Sequence, residues 1–381
     1  MAVSDEHTRL PRIFAIPKLH KNPYKFRFIA GSKFCSTKQL SVLLSNGLKK
    51  VQEFWMNYCG QIEGRSGVNR FWILPNSKAL LEQLNGAGVR VPYEEISSWD
   101  FSTLYTTIPH ADLKRCLKSL IYKTYEKNKF QKMIITFRSA YFGNDVKDGQ
   151  YAFEYDEFIE LLEFLIDNIY VKFGESVFRQ TIGIPMGTNC APLLANLYLF
   201  YHEFLFFNNL PKDDKRAKCF GLTFRYIDDL LSINNKYFKQ CISSIYPDEL
   251  ELKETTENIS ECSYLDIMMF NDDGELKFKL YDKRDQFQFG IVNYPHMDSN
   301  IPIGPAYGVY VSRLIAFARV CTGFEDFEFR HTILFDKLVK QGFSKKKLKN
   351  SFLKFVDKHK SLLKKYKEDL RMYINEVVSE Y

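Results

Sequence analysis

Phe224-Arg225-Tyr226-Ile227-Asp228-Asp229-Leu230-Leu231-Ser232-Ile233 sets two adjacent acids between two apolar runs. Both runs are rich in strand-forming residues, so the stretch predicts a β-hairpin with Asp228 and Asp229 at or next to its turn. Tyr226, Ile227, Leu230, Leu231 and Ile233 are expected to be buried and to anchor the carboxylates to a core. Two like charges side by side raise each other's pKa unless a cation compensates them. A hard divalent ion with oxygen ligands, such as Mg²⁺, meets that need. Asp is equally an ordinary turn residue, so a plain polar turn is the alternative.

The chain has 381 residues, enough for a sizeable core and more than one subdomain. Its composition is globular, 45% apolar and 26% charged, with a high aromatic share of 16%. No apolar run approaches a membrane span, and no secretory leader is visible. The eight cysteines are scattered, with no Cys-x-x-Cys spacing and no Cys/His cluster in sequence. That argues against a structural zinc site and fits free thiols in a reducing compartment. The net charge of +7 is unevenly spread. Residues 9–50 and 337–371 each carry +10, which leaves the remainder at −13. Two basic ends around an acidic centre suit a polyanion held at the ends with metal in the middle. Two solvated faces are the alternative.

Upstream of the hairpin, residues 11–34 contain three prolines and alternate apolar with basic residues, which predicts extended segments joined by a Pro turn. In Tyr24-Lys25-Phe26-Arg27-Phe28 the period of two puts Lys25 and Arg27 on one face and the aromatics on the other. That basic face either grips phosphates or is the wet side of a sheet. Thr37 is placed to cap a helix over 38–55, residues 58–70 read as a loop, and Ser77 is placed to cap a helix through Leu84. Residues 96–101 predict a strand that delivers Asp100, and Pro109 opens a helix to about Tyr125. Residues 127–156 are mixed, and 157–171 predict an amphipathic helix. Gln180-Thr-Ile-Gly-Ile-Pro-Met-Gly-Thr-Asn-Cys-Ala-Pro192 is a Gly/Pro-punctuated loop entering an apolar helix over about 192–207. Gly183, Gly187 and Ala191 allow close approach of something flat or bulky, or make a tight structural turn. Helix amides there attract anions. Beyond the hairpin come a helix near 236–245, short strands over 250–281, a loop over 284–310, and helices over 311–320, 325–341 and 344–378.

Asp100, the Gly187 loop-helix and Asp228-Asp229 fall in that order, and with their local sequences they resemble the palm of reverse transcriptases. Ser98-Trp-Asp-Phe-Ser-Thr-Leu-Tyr-Thr-Thr-Ile-Pro109 is similar to the first acidic motif of the Penelope-like retroelement group. Gly183-Ile-Pro-Met-Gly-Thr-Asn-Cys-Ala-Pro-Leu-Leu-Ala-Asn-Leu197 resembles its second motif and Arg225-Tyr-Ile-Asp-Asp229 its third. Tyr264-Leu-Asp-Ile267 resembles the strand that follows, and Ile16-Pro-Lys-Leu-His-Lys-Asn-Pro-Tyr-Lys-Phe-Arg27 the fingers segment. The resemblance covers nearly the whole chain.

It implies an α+β right-hand polymerase fold with an antiparallel palm sheet, mostly helical fingers and a helical thumb. The implied divisions are fingers over 1–95, palm over 96–118, fingers or insert helices over 119–178, palm over 179–282 and a basic helical thumb over 283–381. The implied activity is RNA-directed DNA synthesis on an RNA template, from a DNA primer and dNTPs. Asp100 and Asp228, with the carbonyl of Phe101, would hold two Mg²⁺ ions, for which Mn²⁺ could substitute. Asp229 would support charge or geometry, and Tyr105 would exclude a ribose 2′-OH. Arg27 with Lys18 or Lys21 would hold the triphosphate, and Met186 and Gly187 would pack on the nascent base pair. Met186 departs from the Gln of retroviral enzymes. Lys253 would protonate pyrophosphate. Lys345, Lys346, Lys347 and Lys349 are the candidate grip on nucleic-acid backbone. The resemblance also implies a nuclear location. The chain starts almost at the fingers segment and ends after thumb-like helices, so a polymerase core within a longer element protein is expected. The competing class is a domesticated retroelement protein that binds nucleic acid without polymerising.

Overall fold

The computed structural model describes all residues except 1–8, 20–22, 87–93, 212–213, 257, 259, 288 and 380–381. The chain divides into two compact units, residues 1–73 with 99–255, and residues 74–98 with 256–381.

The first unit is built on a sheet whose strands run in the order Leu252–Glu254, Ile96–Phe101 (residues 99–101 of it in this unit), Asp229–Ile233, Thr223–Tyr226. Alternation decides its two faces. Trp99, Phe101 and Leu230 point into a core shared with the helices Lys38–Ser66, His110–Glu126, Tyr155–Asp167, Ala191–Asn209 and Phe238–Ile245. Asp100 and Asp229 therefore fall on the opposite face. A second sheet, in the order Lys25–Gly31, Arg12–Lys18, Tyr170–Phe173, Ser176–Arg179, carries the basic hairpin. Residues 127–156 form a small three-stranded sheet with Met133–Ile135 in the middle.

Several boundaries differ from the sequence expectations. The first long helix runs Lys38–Ser66, through the expected loop at 58–70. Gly60 and Gly64 each cost about 1 kcal/mol relative to Ala in a helix, but buried Trp55 and Cys59 hold this segment to the core. The helix stops at Gly67, left-handed at φ 67°, whose N–H donates to Glu63 O at 2.7 Å. Thr37 occupies its N-cap without a side-chain cap bond. At the helix Ser77–Gly86 it is Asn76, not Ser77, that accepts from Ala79 N–H, at 3.0 Å. The helix expected over 157–171 spans Tyr155–Asp167, because Tyr170–Phe173 is taken as a strand, with Lys172 N–H donating to Pro11 O at 2.7 Å.

The second unit is a three-stranded meander, Glu261–Tyr264, Ile267–Asp272 and Glu275–Leu280, with mostly helical segments after it. Tyr264 and Ile267 pair across a two-residue turn, so this motif is a hairpin rather than one strand. The helix expected from 311 starts at Ile303, inside the expected loop. The single helix expected over 344–378 is broken into Lys345–Lys358, Lys360–Leu363, a 3₁₀ turn Lys364–Tyr366, and Lys367–Ser379. The break brings the Tyr366 hydroxyl and the Lys365 ammonium to Cys321 O, at 2.6 and 2.5 Å. That carbonyl ends the helix Ile303–Val320, and a cation there suits the negative end of its dipole.

Candidate active site

Tyr226 and Asp229 pair across the two-residue turn Ile227-Asp228, so the adjacent acids sit at the turn as the sequence predicts. Ile227 adopts φ 56°. A hairpin of this form usually places Gly at its first central position, and a β-branched residue there stores about 1–3 kcal/mol of strain. A buried ion pair holds it. Arg225, fully buried, donates from Nε to Glu203 Oε1 at 2.5 Å and from Nη2 to Oε2 at 3.1 Å. Its Nη1 donates to Asn196 Oδ1 at 2.9 Å and to the Ile227 carbonyl at 3.1 Å. Tyr246 donates its hydroxyl to Glu203 at 2.8 Å. The sequence reading missed this network. Its signal was a single arginine inside an apolar strand.

Phe101 N–H donates to Asp228 O at 3.1 Å and fastens the Asp100 strand to the turn. Burial raises the pKa of the Asp228 carboxyl from its ordinary value. Its own backbone amide opposes that, Asp100 adds to it, and Arg27 and Lys18 lower it. Burial pushes the Tyr105 phenol to about 12, with Asp228 raising it and Arg27 lowering it. Asp100, Arg27 and Lys18 thus lie within electrostatic reach of Asp228, and Asp228 and Arg27 within reach of Tyr105. Hairpin register explains the basic pair. Ile16 lies opposite Arg27 and Lys18 opposite Lys25, so Lys18, Lys25 and Arg27 share a face despite their uneven spacing. Lys21 lies outside the described residues.

The Gly loop ties these parts together. Gly183 and Gly187 adopt φ 80° and 122°, and a Cβ would stand 2.4 Å from Tyr105 O and 2.1 Å from Ala30 O. Ile184 N–H donates to Tyr105 O at 2.7 Å, and Ala30 N–H to Met186 O at 2.7 Å. The close approach at each glycine is thus made by the chain's own backbone. The loop clamps the Tyr105 turn on one side and the Arg27 strand on the other.

Other candidates stand apart. Lys253 is the cross-strand partner of Asp100, with its ammonium on Glu251 at 3.0 Å. Lys345, Lys346 and Lys347 are exposed and Lys349 half-buried at the start of the helix Lys345–Lys358 in the second unit, capped by Ser344. Asp100, Asp228 and Asp229 do not form a set of ligand atoms all within 4.8 Å. Among the described residues such a set is Asp112, Cys116 and His202. The fold thus assembles the Cys/His cluster that sequence spacing lacks, from two helices, with Cys116 and His202 86 residues apart.

No protein-family model matches the chain, and no curated protein matches it in sequence. Solved structures do match in three dimensions. Telomerase from Candida albicans in complex with a TWJ fragment of telomeric RNA gives a TM-score of 0.56 at 13% identity, covering 100% of this chain and 68% of that one. Apo telomerase from Candida tropicalis gives 0.50 at 12% identity, covering 96% and 63%. The C. tropicalis enzyme with the RNA fragment gives 0.51 at 11%, covering 94% and 56%. The fold is that of a right-hand polymerase. At these identities the likeness is one of fold, and the chain spans only part of the length of each of these proteins. The antiparallel strand pairs on either side of Asp100 and Asp228 and the large helical content agree with that fold. Among the described residues no helix is long and apolar enough to cross a membrane.

The palm residues fit a divalent ion. Asp100 and Asp228 are two oxygen donors brought together, half-buried, with repulsion that a hard cation would relieve. The Asp112 cluster is of another kind, with a thiol and an imidazole among its donors.

Proposed function

We propose that the chain is an RNA-directed DNA polymerase of a Penelope-like retroelement, extending a DNA primer on an RNA template. What supports this reading is that Asp100, Arg27 and Lys18 lie within electrostatic reach of Asp228, while the Gly183–Gly187 loop bonds to both the Tyr105 turn and the strand that carries Arg27. Asp100 and Asp228, with the Phe101 carbonyl, would hold two Mg²⁺ ions, which neutralise phosphate charge and activate the primer 3′-OH when bound. Arg27 and Lys18 offer a guanidinium and an ammonium on one hairpin face to the triphosphate. Tyr105, held by the Gly183–Ile184 backbone, would stand under the sugar and exclude a 2′-OH. Met186 and Gly187 would pack on the nascent base pair, and Asp229, on the same sheet face as Asp100, would add negative charge. A nuclear location goes with the retroelement reading.

Primer extension on poly(rA)/oligo(dT) with Mg²⁺ or Mn²⁺ tests it. Asp228→Asn keeps the shape and removes a ligand charge, so extension should fall by orders of magnitude while template binding persists. Near-wild-type extension in that variant would remove Asp228 from the site. Template binding without extension by the wild-type chain would favour the domesticated, non-polymerising class.

A further inference from the structure

Asp112 and Cys116 lie four residues apart on the helix His110–Glu126, a spacing that puts them on one face. His202 comes from the helix Ala191–Asn209, which packs against it. His202 Nε2 is 3.4 Å from Asp112 Oδ2. Cys116 Sγ is 3.8 Å from that oxygen and 3.8 Å from His202 Nε2. A tetrahedral Zn²⁺ ion has bonds of about 2.0 Å to nitrogen and oxygen and about 2.3 Å to sulfur. Those bonds set an N–O pair about 3.3 Å apart and pairs with sulfur about 3.5 Å apart. The triangle in this protein is wider than that by only about 0.1–0.3 Å. Carboxylate, thiolate and imidazole are all zinc ligands, and the thiolate disfavours Mg²⁺ or Ca²⁺.

We propose that Asp112, Cys116 and His202 hold a single Zn²⁺ ion, with water as the fourth ligand. The surroundings orient the donors in the way outer-shell groups do at zinc centres. Arg115 donates from Nε and Nη2 to Asp112 Oδ1, at 2.8 and 2.5 Å. That holds Oδ2 toward the cysteine and histidine. Tyr198 donates its hydroxyl to Oδ2 at 2.9 Å, which leaves that oxygen a second lone pair. Arg115 Nη2 lies 3.5 Å from Cys116 Sγ, in position to donate to a thiolate. Carboxylate and thiolate together balance the two charges of the ion. Cys116 is fully buried, while the Asp112 and His202 side chains keep 27% and 11% exposure, which gives the ion a way in. One helix follows the Tyr105 turn and the other follows the Gly187 loop, so the ion would clamp the two supports of the palm and take no part in chemistry. The metal-free alternative is an Asp112–Arg115 ion pair beside a neutral thiol and imidazole.

The test uses the full chain and needs no polymerase activity, so it stands or falls separately from the proposed function. Wild-type protein grown with zinc should retain one ion per chain after dialysis, measured by mass spectrometry of the metal content. Chelator-stripped wild-type protein titrated with Co²⁺ should develop a thiolate-to-cobalt charge-transfer band and a tetrahedral visible spectrum. Cys116→Ser should abolish the charge-transfer band, and His202→Gln the retained zinc. The control Cys59→Ser should keep both. The melting temperature of stripped wild-type protein should rise when Zn²⁺ is added. Absence of the cobalt band from the wild-type titration would overturn the proposal without reference to any variant. Undiminished zinc in the two ligand variants would overturn it as well.

Discussion

At the scale of single residues, Asp228 and Tyr105 are the groups proposed to do the chemistry, and Arg225 holds the turn that carries Asp228. Tyr105→Ala should admit ribonucleotides far more readily, and an unchanged ratio of rNTP to dNTP incorporation would count against its role under the sugar. The Arg225–Glu203 pair allows a sharper separation. Glu203→Gln leaves the Arg225 guanidinium buried and short of its charge partner, which should cost about 3–5 kcal/mol in urea unfolding. Replacing both, as Arg225→Met with Glu203→Leu, should recover most of that stability, since a buried pair often gains little over apolar packing. The double variant should nonetheless extend primers poorly, because the Ile227 carbonyl has lost its donor and the strained turn before Asp228 is free to relax. Wild-type extension in the double variant would mean the turn holds itself. The turn position of Asp228 was legible because its neighbours form a local motif. The partners of Arg225 were not, since Glu203 and Asn196 lie 22 and 29 residues away on another element.

At the scale of elements, local patterning found the strand Ile96–Phe101 to the residue and the hairpin to its turn. It failed where packing overrode propensity, as at Gly60 and Gly64, and where a distant strand claimed residues 170–173. It failed again in the tail, where no Pro or Gly marks the breaks near His359 and Tyr366. The Phe324–Lys340 helix of the second unit carries a histidine with a testable consequence. His331 is buried, with Tyr310 Oη 2.6 Å from Nε2 and Tyr373 Oη 2.6 Å from Nδ1. A neutral ring satisfies both, one hydroxyl donating to the bare nitrogen and the other accepting from the N–H. Burial depresses its pKa from 6.5 to about 3. Below pH 6.5 the unfolded chain takes a proton that the folded chain declines. Stability should therefore fall on acidification from about 6.5 toward 3, by at most about 1.4 kcal/mol per pH unit, and this group adds no slope above 6.5. Urea midpoints across pH 5–7 should show that slope in wild type and lose it in His331→Gln. Equal slopes would mean that His331 titrates freely.

At the scale of the whole molecule, charge is divided between the units, with one basic run in each. Lys345, Lys346 and Lys347 crowd the start of a capped helix, where amides and ammonium groups both favour a phosphate. Lys347 also lies over the Tyr307 ring at 5.9 Å. Each phosphate contact contributes about 0.9 to the slope of log K against log salt on a B-form duplex. Changing these three and Lys349 to Gln should weaken primer–template binding and flatten that slope, by up to roughly three to four units if all four meet phosphates. Half-buried Lys349 is the first whose share would be missing. Products on long templates should shorten, while single-nucleotide incorporation at saturating duplex survives. An unaltered slope with full processivity would reduce the cluster to a solvated face.

The acids, the glycine loop, the basic hairpin and their order are properties of the chain as a string, because each depends on spacing within a few residues. Strand period and turn chemistry then place Asp100 and Asp228 on rigid ends before any packing is known. Everything that depends on a second element waited for the tertiary structure. Gly183 and Gly187 lack side chains because backbone from residues 105 and 30 lies against them. Arg225 is neutralised under the turn by a helix, and Asp112 and Cys116 meet His202 only once two helices pack. Such contacts follow from which surfaces exclude water together, and no local window of sequence contains both sides of that choice.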